Sequence, residues 1–164
     1  MSTIAIREAN QSDVQKITDI YNHYVRETVV TFDLTERPIS FFSEKMAVLQ
    51  KDYPFLVATE DDIPIGYAYA SPWKQKDAYK QTAELTIYMD HSNLGKGIGL
   101  RLYNALLSSL PLFDIVTAIG GITVPNETSV KLHEKLGFKK VAEFEKVGFK
   151  FDKWLNVEYW QRPV

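Results

Sequence analysis

Three glycines at alternate positions, Gly95, Gly97 and Gly99, separate a segment with strand periodicity from one with helical periodicity. Residues 82–89 alternate between two faces, whereas leucines recur every four positions over residues 102–110. Glycines in such a turn leave backbone N–H groups uncovered, and the N-terminus of the following helix adds partial positive charge. The turn therefore predicts either a phosphate-binding loop or a tight connection in which glycine serves only the backbone geometry.

Two familiar nucleotide-binding motifs do not account for this turn. The dinucleotide fingerprint needs a glycine three positions after Gly97, where this sequence has Leu100. A P-loop needs serine or threonine directly after its Gly-Lys pair, but here Gly97 follows Lys96. A phosphate site at this turn would therefore be a pyrophosphate site of another class.

Hydrophobic periodicity and turn residues divide the chain into strands and helices. Helices are predicted where helical spacing follows a capping residue, a proline or the glycine turn: from Ser12 or Asp13 through Tyr24, over 40–49, from the turn up to Pro111, and from Asn126 to Leu136. Strands are predicted over residues 3–7, 55–59, 65–71, 82–89, 115–124, 141–149 and 156–161, with residues 60–64 as a hairpin turn. This order predicts an α+β fold with a mixed sheet flanked by helices.

Length and composition restrict the class of protein. A chain of 164 residues and 18.8 kDa fits a single domain, residues 1–164. The net charge is −2 and no basic block is present, which argues against a nucleic-acid partner. The sequence has no cysteine, which excludes disulfide and thiolate sites and fits a reducing compartment. We see no leader pattern and no apolar run of about 18–20 residues, so we expect a cytoplasmic protein without a membrane partner.

The glycine turn and a later segment together resemble the coenzyme-A sites of the GNAT acetyltransferase superfamily. Gly97 and Gly99 match the two small positions of its phosphate loop, Gln/Arg-x-x-Gly-x-Gly/Ala, although Leu94 stands at the Gln/Arg position. Residues 126–138 resemble its second coenzyme-A segment, with Asn126, Ser129 and a closing Gly-Phe. The resemblance implies acetyl-CoA as co-substrate and the GNAT fold, with about six to seven strands and about four helices.

Segments along nearly the whole chain are similar to one branch of that superfamily, the phosphinothricin and methionine sulfone or sulfoximine N-acetyltransferases. These segments are 30–33, 54–58, 66–70, 72–74, 78–79, 82–84, 147–150, Trp154 and 160–161. The resemblance implies transfer of acetyl to the α-amino group of a small amino acid or analogue, by an enzyme that forms a homodimer, as relatives commonly do. Two alternatives stay open: a protein N-terminal or lysine acetyltransferase, and a catalytically inactive regulator that binds coenzyme A.

Glu84 is an ionisable residue in the middle of the predicted strand 82–89, on one face with Thr86 and Tyr88. By itself it is typical of the solvated face of an edge strand. The resemblance places it at the position of the family's catalytic glutamate, in a central strand that opens beside the acetyl group. Partial burial there would raise its pKa toward neutrality, which suits a general base that takes a proton from an ammonium group directly or through water.

His133 lies between Leu132 and Leu136 on the last predicted helix, where a hydrogen-bonded core histidine is an equally ordinary interpretation. Many GNAT enzymes carry a tyrosine at this distance before the Gly-Phe pair, and it protonates the departing thiolate. The resemblance therefore implies a supporting acid role for His133. His23, His91 and His133 are scattered without ligand spacing, so no metal site is predicted.

The resemblance also implies which residues contact acetyl-CoA. Backbone N–H groups of residues 87–89 would pair with the pantetheine arm and polarise the thioester carbonyl, and the backbone of the glycine turn would hold the pyrophosphate. The expected cofactor-binding residues are Ile87, Tyr88, Met89, Gly95, Lys96, Gly97, Ile98, Gly99, Leu100, Asn126 and Ser129.

The acceptor site is expected to include lysines and aromatic residues. Lysines in a loop such as residues 73–79 are usually solvated, but one near the cleft could pair with the carboxylate of an amino acid. The aromatic residues could form a pocket wall or simply pack in the core. The expected acceptor-binding residues are Phe32, Trp73, Lys74, Lys76, Tyr79 and Thr86.

Overall fold

A computed structural model describes residues 1–164. Seven strands form one sheet and four α-helices cover it, in the predicted order. The strands are β1 (Ile4–Glu8), β2 (Phe55–Glu60), β3 (Ile63–Pro72), β4 (Thr82–Met89), β5 (Thr117–Val124), β6 (Lys139–Lys150) and β7 (Lys153–Pro163). The helices are α1 (Val14–Glu27), α2 (Ile39–Leu49), α3 (Ile98–Ser109) and α4 (Glu127–Lys135). None of these helices is long and apolar enough to cross a membrane.

The strand order in the sheet is β1-β2-β3-β4-β5-β7-β6. All neighbours are antiparallel except β4 and β5, which are parallel. This parallel pair is short, because only Thr82–Glu84 pairs with Thr117–Ile119. Beyond Glu84 the two strands diverge, so their facing backbone groups are left for other partners and the sheet opens there.

Each face of the sheet packs against a different pair of helices, because side chains alternate along the strands. Leu85 and Ala70 face α3, where Leu102 and Leu106 are fully buried. On the opposite face, Tyr67 and the other aromatic residues of β2 and β3 pack against α1 and α2: Phe55 and Tyr69 with Ile17, Tyr21, Phe42 and Met46. The α1–α2 face is therefore aromatic, whereas the α3 face is mainly aliphatic.

The predicted element bounds lie within about three residues of those observed, with the largest difference at β7, which was predicted over 156–161 and spans Lys153–Pro163, and a smaller one at the first hairpin. The sequence predicts a turn over residues 60–64, but β2 and β3 continue to Glu60 and from Ile63. Asp61 and Asp62 have positive φ angles of 48° and 67°, which allow a two-residue hairpin turn. Pro64 lacks an N–H and is tolerated in the strand because the pairing shifts register between Ala58 and Thr59.

Candidate active site

The divergence of β4 and β5 opens a cavity of about 480 Å³ between them. We call this space the acceptor-side cavity, because two of the residues expected to bind the acceptor line it. Glu84, the last residue of β4 that pairs with β5, also lines it. Thr86 and Tyr88 follow on the same face of β4, because alternate residues of a strand share a face. Other lining residues come from the α1–α2 loop, β5, α3, α4 and the β6–β7 hairpin: Thr31, Phe32, Tyr103, Gly121, Thr123, Ser129, His133, Val147, Val157 and Tyr159.

The Glu84 carboxylate is half-buried beside the backbone of β5. A Cβ atom added to Gly121 would lie 3.4 Å from Oε1 of Glu84 and 3.3 Å from the Tyr159 ring, so the carboxylate lies against β5 near Tyr159. Burial raises the pKa of Glu84, whereas the positive charges of Lys74 and Lys45 lower it by smaller amounts. The net rise makes this carboxylate a stronger base than an exposed glutamate.

His133 and Tyr103 form a buried hydrogen-bonded pair in the wall of the same cavity. Nδ1 of His133 lies 2.7 Å from the carbonyl oxygen of Ser129, which can only accept, so Nδ1 carries the proton. Nε2 lies 3.0 Å from the hydroxyl of Tyr103. Burial lowers the pKa of His133 and raises that of Tyr103. The imidazole is therefore neutral near pH 7, and its Nε2 accepts the Tyr103 proton.

The loop between α1 and α2 forms another wall of the cavity through Thr31 and Phe32. The hydroxyls of Thr31 and Tyr21 lie 2.8 Å apart, and Nζ of Lys150 donates to the Thr31 carbonyl oxygen at 2.9 Å. The Phe32 ring rests on the backbone of Gly148, where a Cβ atom would come within 2.3 Å of the ring. These contacts hold the loop against the β6–β7 hairpin.

A second cavity, of about 650 Å³, surrounds the glycine turn. Several residues line both cavities, so the two spaces meet between β4 and β5: Val30, Ile87, Tyr88, Thr123, Asn126 and Ser129. Every residue expected to bind the cofactor lines this second, cofactor-side cavity: Ile87, Tyr88, Met89, Gly95, Lys96, Gly97, Ile98, Gly99, Leu100, Asn126 and Ser129.

The backbone of the glycine turn suits an anionic ligand. Gly95 and Gly97 have φ angles of 78° and 74°, which side-chain-bearing residues rarely adopt. A Cβ atom at either position would meet no atom within 4 Å, so the space above the turn is open. Gly97 caps α3 without any side-chain hydrogen bond, which leaves the first N–H groups of the helix free to bind phosphate.

Cations surround the turn, although the usual side-chain ligand of the family's phosphate loop is missing. Leu94 lines the cavity and is 55% exposed. Lys96, Lys131 and Lys135 also line the cavity and bring positive charge to it. Backbone donors and these lysines together can therefore hold a pyrophosphate in place of the missing contact.

Asn126 has a structural role that its cavity position does not reveal. Its side chain accepts a hydrogen bond from the backbone N–H of Ser129 at 3.2 Å and so caps α4. The cap fixes the first turn of α4 where the two cavities meet, and it brings Ser129, whose carbonyl orients His133, to the same place.

Only two of the six residues expected to bind the acceptor line the acceptor-side cavity. Phe32 and Thr86 line the acceptor-side cavity, whereas the other four, Trp73, Lys74, Lys76 and Tyr79, lie outside its lining. The Trp73 ring meets the lining residue Tyr159 edge to face, with centroids 5.3 Å apart, and Nζ of Lys74 lies 4.9 Å from the Trp73 ring centroid. Lys76 and Tyr79 are exposed around a short 3₁₀ turn, because the loop carries them away from β4.

Some residues that line the two cavities were not predicted from the sequence. Tyr103 and Tyr159 lie in apolar patterns in which an aromatic residue is interpreted as core, so the sequence offered no signal for them. Lys131 and Lys135 could have been predicted, because they lie within the second coenzyme-A segment and their four-residue spacing places both on one face of its helix.

Comparison with known proteins identifies the family. The family described as the acetyltransferase (GNAT) domain matches residues 6–158, nearly the whole chain. The chain belongs to the GNAT acetyltransferases. The predicted GNAT fold and the predicted enzyme class are therefore confirmed.

Individual GNAT relatives are similar over almost their full lengths. A phosphinothricin N-acetyltransferase of Streptomyces viridochromogenes is 35% identical over 97% of this chain and 87% of its own. The L-methionine sulfoximine/L-methionine sulfone acetyltransferase of Salmonella typhimurium is 31% identical over 96% and 93%. A phosphinothricin acetyltransferase from Sinorhizobium meliloti, solved in complex with acetyl-CoA, superposes with a TM-score of 0.95 at 32% identity, covering 99% of this chain and 89% of that one.

Proposed function

We propose that this enzyme transfers the acetyl group of acetyl-CoA to the α-amino group of a small amino acid or analogue, of the phosphinothricin or methionine sulfoximine type. The observation that carries the proposal is the position of Glu84. Its half-buried carboxylate lines a cavity of about 480 Å³ that meets the cofactor-side cavity where β4 and β5 diverge. A base at that junction can serve an amine on one side and a thioester on the other.

Acetyl-CoA fits the cofactor-side cavity, and when bound it supplies an acetyl group activated as a thioester. The backbone N–H groups of residues 95–100, with Lys96, Lys131 and Lys135, would hold its pyrophosphate. The backbone groups of residues 87–89 that have no partner on β5 would pair with the pantetheine arm and polarise the thioester carbonyl.

Glu84 acts as the general base. It takes one proton from the acceptor ammonium, directly or through water, and its raised pKa matches this task better than that of an exposed carboxylate. The resulting amine attacks the thioester directly, since the chain has no cysteine to form a thioester intermediate of its own. No step of this reaction requires a metal ion.

His133 has a supporting role in the second proton transfer. Acylation removes a second proton from the nitrogen, and the departing sulfur of coenzyme A takes one up. Because the neutral imidazole holds its proton toward Ser129, the mobile proton of the pair lies between Tyr103 and Nε2 of His133. His133 orients this hydroxyl. The hydroxyl of Tyr103 donates its proton to the departing sulfur, and the proton that the acceptor nitrogen gives up then restores the protonation of the Tyr103–His133 pair.

The other residues expected to bind the acceptor would differ in how closely they approach it. Phe32 and Thr86 would contact it inside the cavity, and Trp73, which packs on the lining residue Tyr159, would contribute beside it, whereas the exposed Tyr79 would make no direct contact. Lys74 would pair with the acceptor carboxylate, since its charge already acts on Glu84, whereas Lys76 would contribute only long-range attraction.

A homodimer is part of the proposal, because the β6–β7 hairpin exposes a large apolar surface. Trp154 is 63% exposed, and its ring contacts that of Phe149 with centroids 5.0 Å apart. Phe144, Val147, Phe149 and Phe151 are at least half exposed on the same hairpin. A second copy of the chain that covers these residues would remove them from water. We place the enzyme in the cytoplasm, in keeping with its lack of cysteine.

The test is an acetylation assay that follows free thiol release. The purified enzyme is incubated with acetyl-CoA and free amino acids, phosphinothricin, methionine sulfoximine, or a peptide with a free N-terminus. Release with the free amino acids or analogues but not with the peptide, together with a product acetylated on the α-nitrogen by mass spectrometry, is expected. Faster turnover of the peptide would instead favour a protein N-terminal acetyltransferase.

A further inference from the structure

Two lysines whose charges act on Glu84, Lys74 and Lys45, form no ion pair within the protein. Lys74 approaches from the loop after β3 and Lys45 from α2, and both charges act on the Glu84 carboxylate. The proposed function gives Lys74 a partner, the acceptor carboxylate, but it gives Lys45 none.

Lys45 occupies a defined position on the same sheet face as Glu84. In the antiparallel pair of β3 and β4, Tyr69 lies opposite Thr86 and Ser71 lies opposite Glu84. Directly opposed residues share a face, so Tyr69 is adjacent to the cavity residue Thr86 and diagonal to Glu84. Nζ of Lys45 lies 5.0 Å from the ring centroid of Tyr69. Lys45 does not line the acceptor-side cavity, but its ammonium group lies over the ring of the residue that pairs with the cavity residue Thr86.

Aromatic rings hold the Lys45 side chain in this position. Its Nζ is also 5.4 Å from the ring centroid of Phe41, and the residue is half-buried. Such contacts stabilise a cation without neutralising its charge. The flexible stem of lysine can then bring the ammonium group to an anion bound next to Thr86.

The other cations of this region already have partners. Arg37 lies 4.7 Å from the Phe41 ring centroid and forms two hydrogen bonds with the Asp33 carboxylate, at 2.6 and 3.0 Å. Lys150 is buried and donates to the Thr31 carbonyl oxygen. Lys45 is thus the cation on the α2 side of Glu84 that is available for a ligand.

We infer that Lys45 is a specificity-determining residue that binds an anionic group on the acceptor side chain, so that the enzyme selects amino acids with a second acidic group over neutral isosteres. The inference rests on the proposed function. With its ammonium at Glu84 and its side chain along Thr86, the acceptor would bring a terminal group next to Tyr69, which pairs with Thr86 and carries the Lys45 ammonium over its ring. Pairing of two charges in a partly dry site gives a gain that a neutral group of equal shape does not receive.

Phosphinothricin and methionine sulfoximine form a matched pair for this test. Their side chains have nearly the same shape, but the phosphinate of the first is anionic and the sulfoximine of the second is neutral. Lys45→Met should lower kcat/KM for phosphinothricin about 10- to 100-fold and leave that for methionine sulfoximine within about threefold, because only the first loses an ion pair. Lys45→Arg keeps the charge and should keep the preference for phosphinothricin.

Lys51→Met is the matched control, because Lys51 is an exposed lysine just after α2. It should change neither acceptor's kinetics. Equal losses on both acceptors in Lys45→Met, or no loss on either, would overturn the inference while the proposed function stands. If Lys45→Met does not fold, as judged by circular dichroism, Lys45→Gln replaces it with the same expectation.

Calorimetry separates a failure of the inference from a failure of the proposed function. Phosphinothricin is titrated into the wild type and Lys45→Met in the presence of coenzyme A. Weaker binding of phosphinothricin to the variant supports the inference whether or not acetyl transfer is detected. A lack of acetyl transfer with both acceptors would refute only the proposed reaction. Equal binding of phosphinothricin to both proteins would overturn the inference.

Discussion

At the scale of single residues, the site depends on how burial and nearby charges set the basicity of Glu84. Replacement of Glu84 by glutamine keeps the shape of the side chain but removes the base. We expect Glu84→Gln to lower kcat by about 10²- to 10⁴-fold, while coenzyme A binds as before because its cavity lies around a different turn. Steady-state kinetics and calorimetry measure the two effects, and a kcat within a few-fold of wild type would remove Glu84 from the mechanism.

The pH dependence of turnover reports on the same carboxylate. The base must be ionised, so kcat should rise with pH through the pKa of Glu84, which burial holds above its ordinary value. Lys74 lowers that pKa by its charge. In Lys74→Met the pKa of Glu84 should therefore be higher, and the acidic limb of the kcat profile should move to higher pH. A limb that stays in place or moves to lower pH would contradict this electrostatic coupling.

The hydrogen bond between Tyr103 and His133 is also a residue-scale feature. Tyr103→Phe removes the hydroxyl and leaves the ring packed against His133 and Phe138. We expect kcat to fall about 10- to 100-fold, with His133→Phe causing a similar loss. Because the two residues act as a unit, the double variant should lose little more than either single one. Additive losses in this double-mutant cycle would show that the two side chains act independently.

At the scale of elements, the glycine turn and the α3 N-terminus form the cofactor-side cavity. Gly97 has a φ angle of 74°, so a branched side chain there would be strained and would also fill the space above the turn. Gly97→Val should weaken coenzyme A binding by at least about tenfold in calorimetry. Leu94→Arg is the companion variant and should tighten binding modestly at low salt. Normal affinity in Gly97→Val would refute the assignment of the turn to the pyrophosphate.

The α1–α2 loop is an element whose position depends on a distant residue of β6. Lys150 is 3% exposed, and its Nζ binds the carbonyl oxygen of Thr31. Lys150→Met leaves that carbonyl unpaired and should lower the free energy of unfolding by about 1–3 kcal/mol in urea denaturation. The exposed Lys153 of the same hairpin supplies the control, Lys153→Met. Equal stability of the two variants would mean that the cost of burying the ammonium group cancels its hydrogen bond.

At the scale of the whole molecule, the proposed dimer accounts for the apolar surface of the β6–β7 hairpin. Trp154→Glu places a charge on this surface, at a residue that is 63% exposed and so contributes little to the core of one chain. The variant should sediment as a folded monomer with an unchanged circular dichroism spectrum, whereas the wild type should sediment as a dimer. A wild type that is monomeric at micromolar concentration would refute the dimer.

The arrangement of the elements followed closely from the sequence, and so did one half of the site. Strand and helix periods, capping residues and the glycine turn are local signals, and they predicted the order of elements and the exact extent of β4. The residues that the family resemblance predicts to bind the cofactor come from three short segments, 87–89, 95–100 and 126–129, and all of them line the cofactor-side cavity, although Lys131 and Lys135 of the same cavity were not predicted. Glu84 is a carboxylate in the middle of a strand, but only the family resemblance distinguished it from a residue on the solvated face of an edge strand.

The acceptor side was decided only by tertiary structure. The hydrogen bond from Lys150 to Thr31 joins residues 119 positions apart, and the contact of Lys45 with Tyr69 joins a helix to a strand. No local pattern marks such pairs, because their chemistry arises where chain segments meet and not in the segments themselves. For the same reason Lys76 and Tyr79, which are close to Glu84 in the sequence, lie outside the cavity. The sequence by itself thus determined the order of the elements, the fold and the family, because these depend on local patterns, whereas packing of distant segments decided which side chains line the cavity beside Glu84.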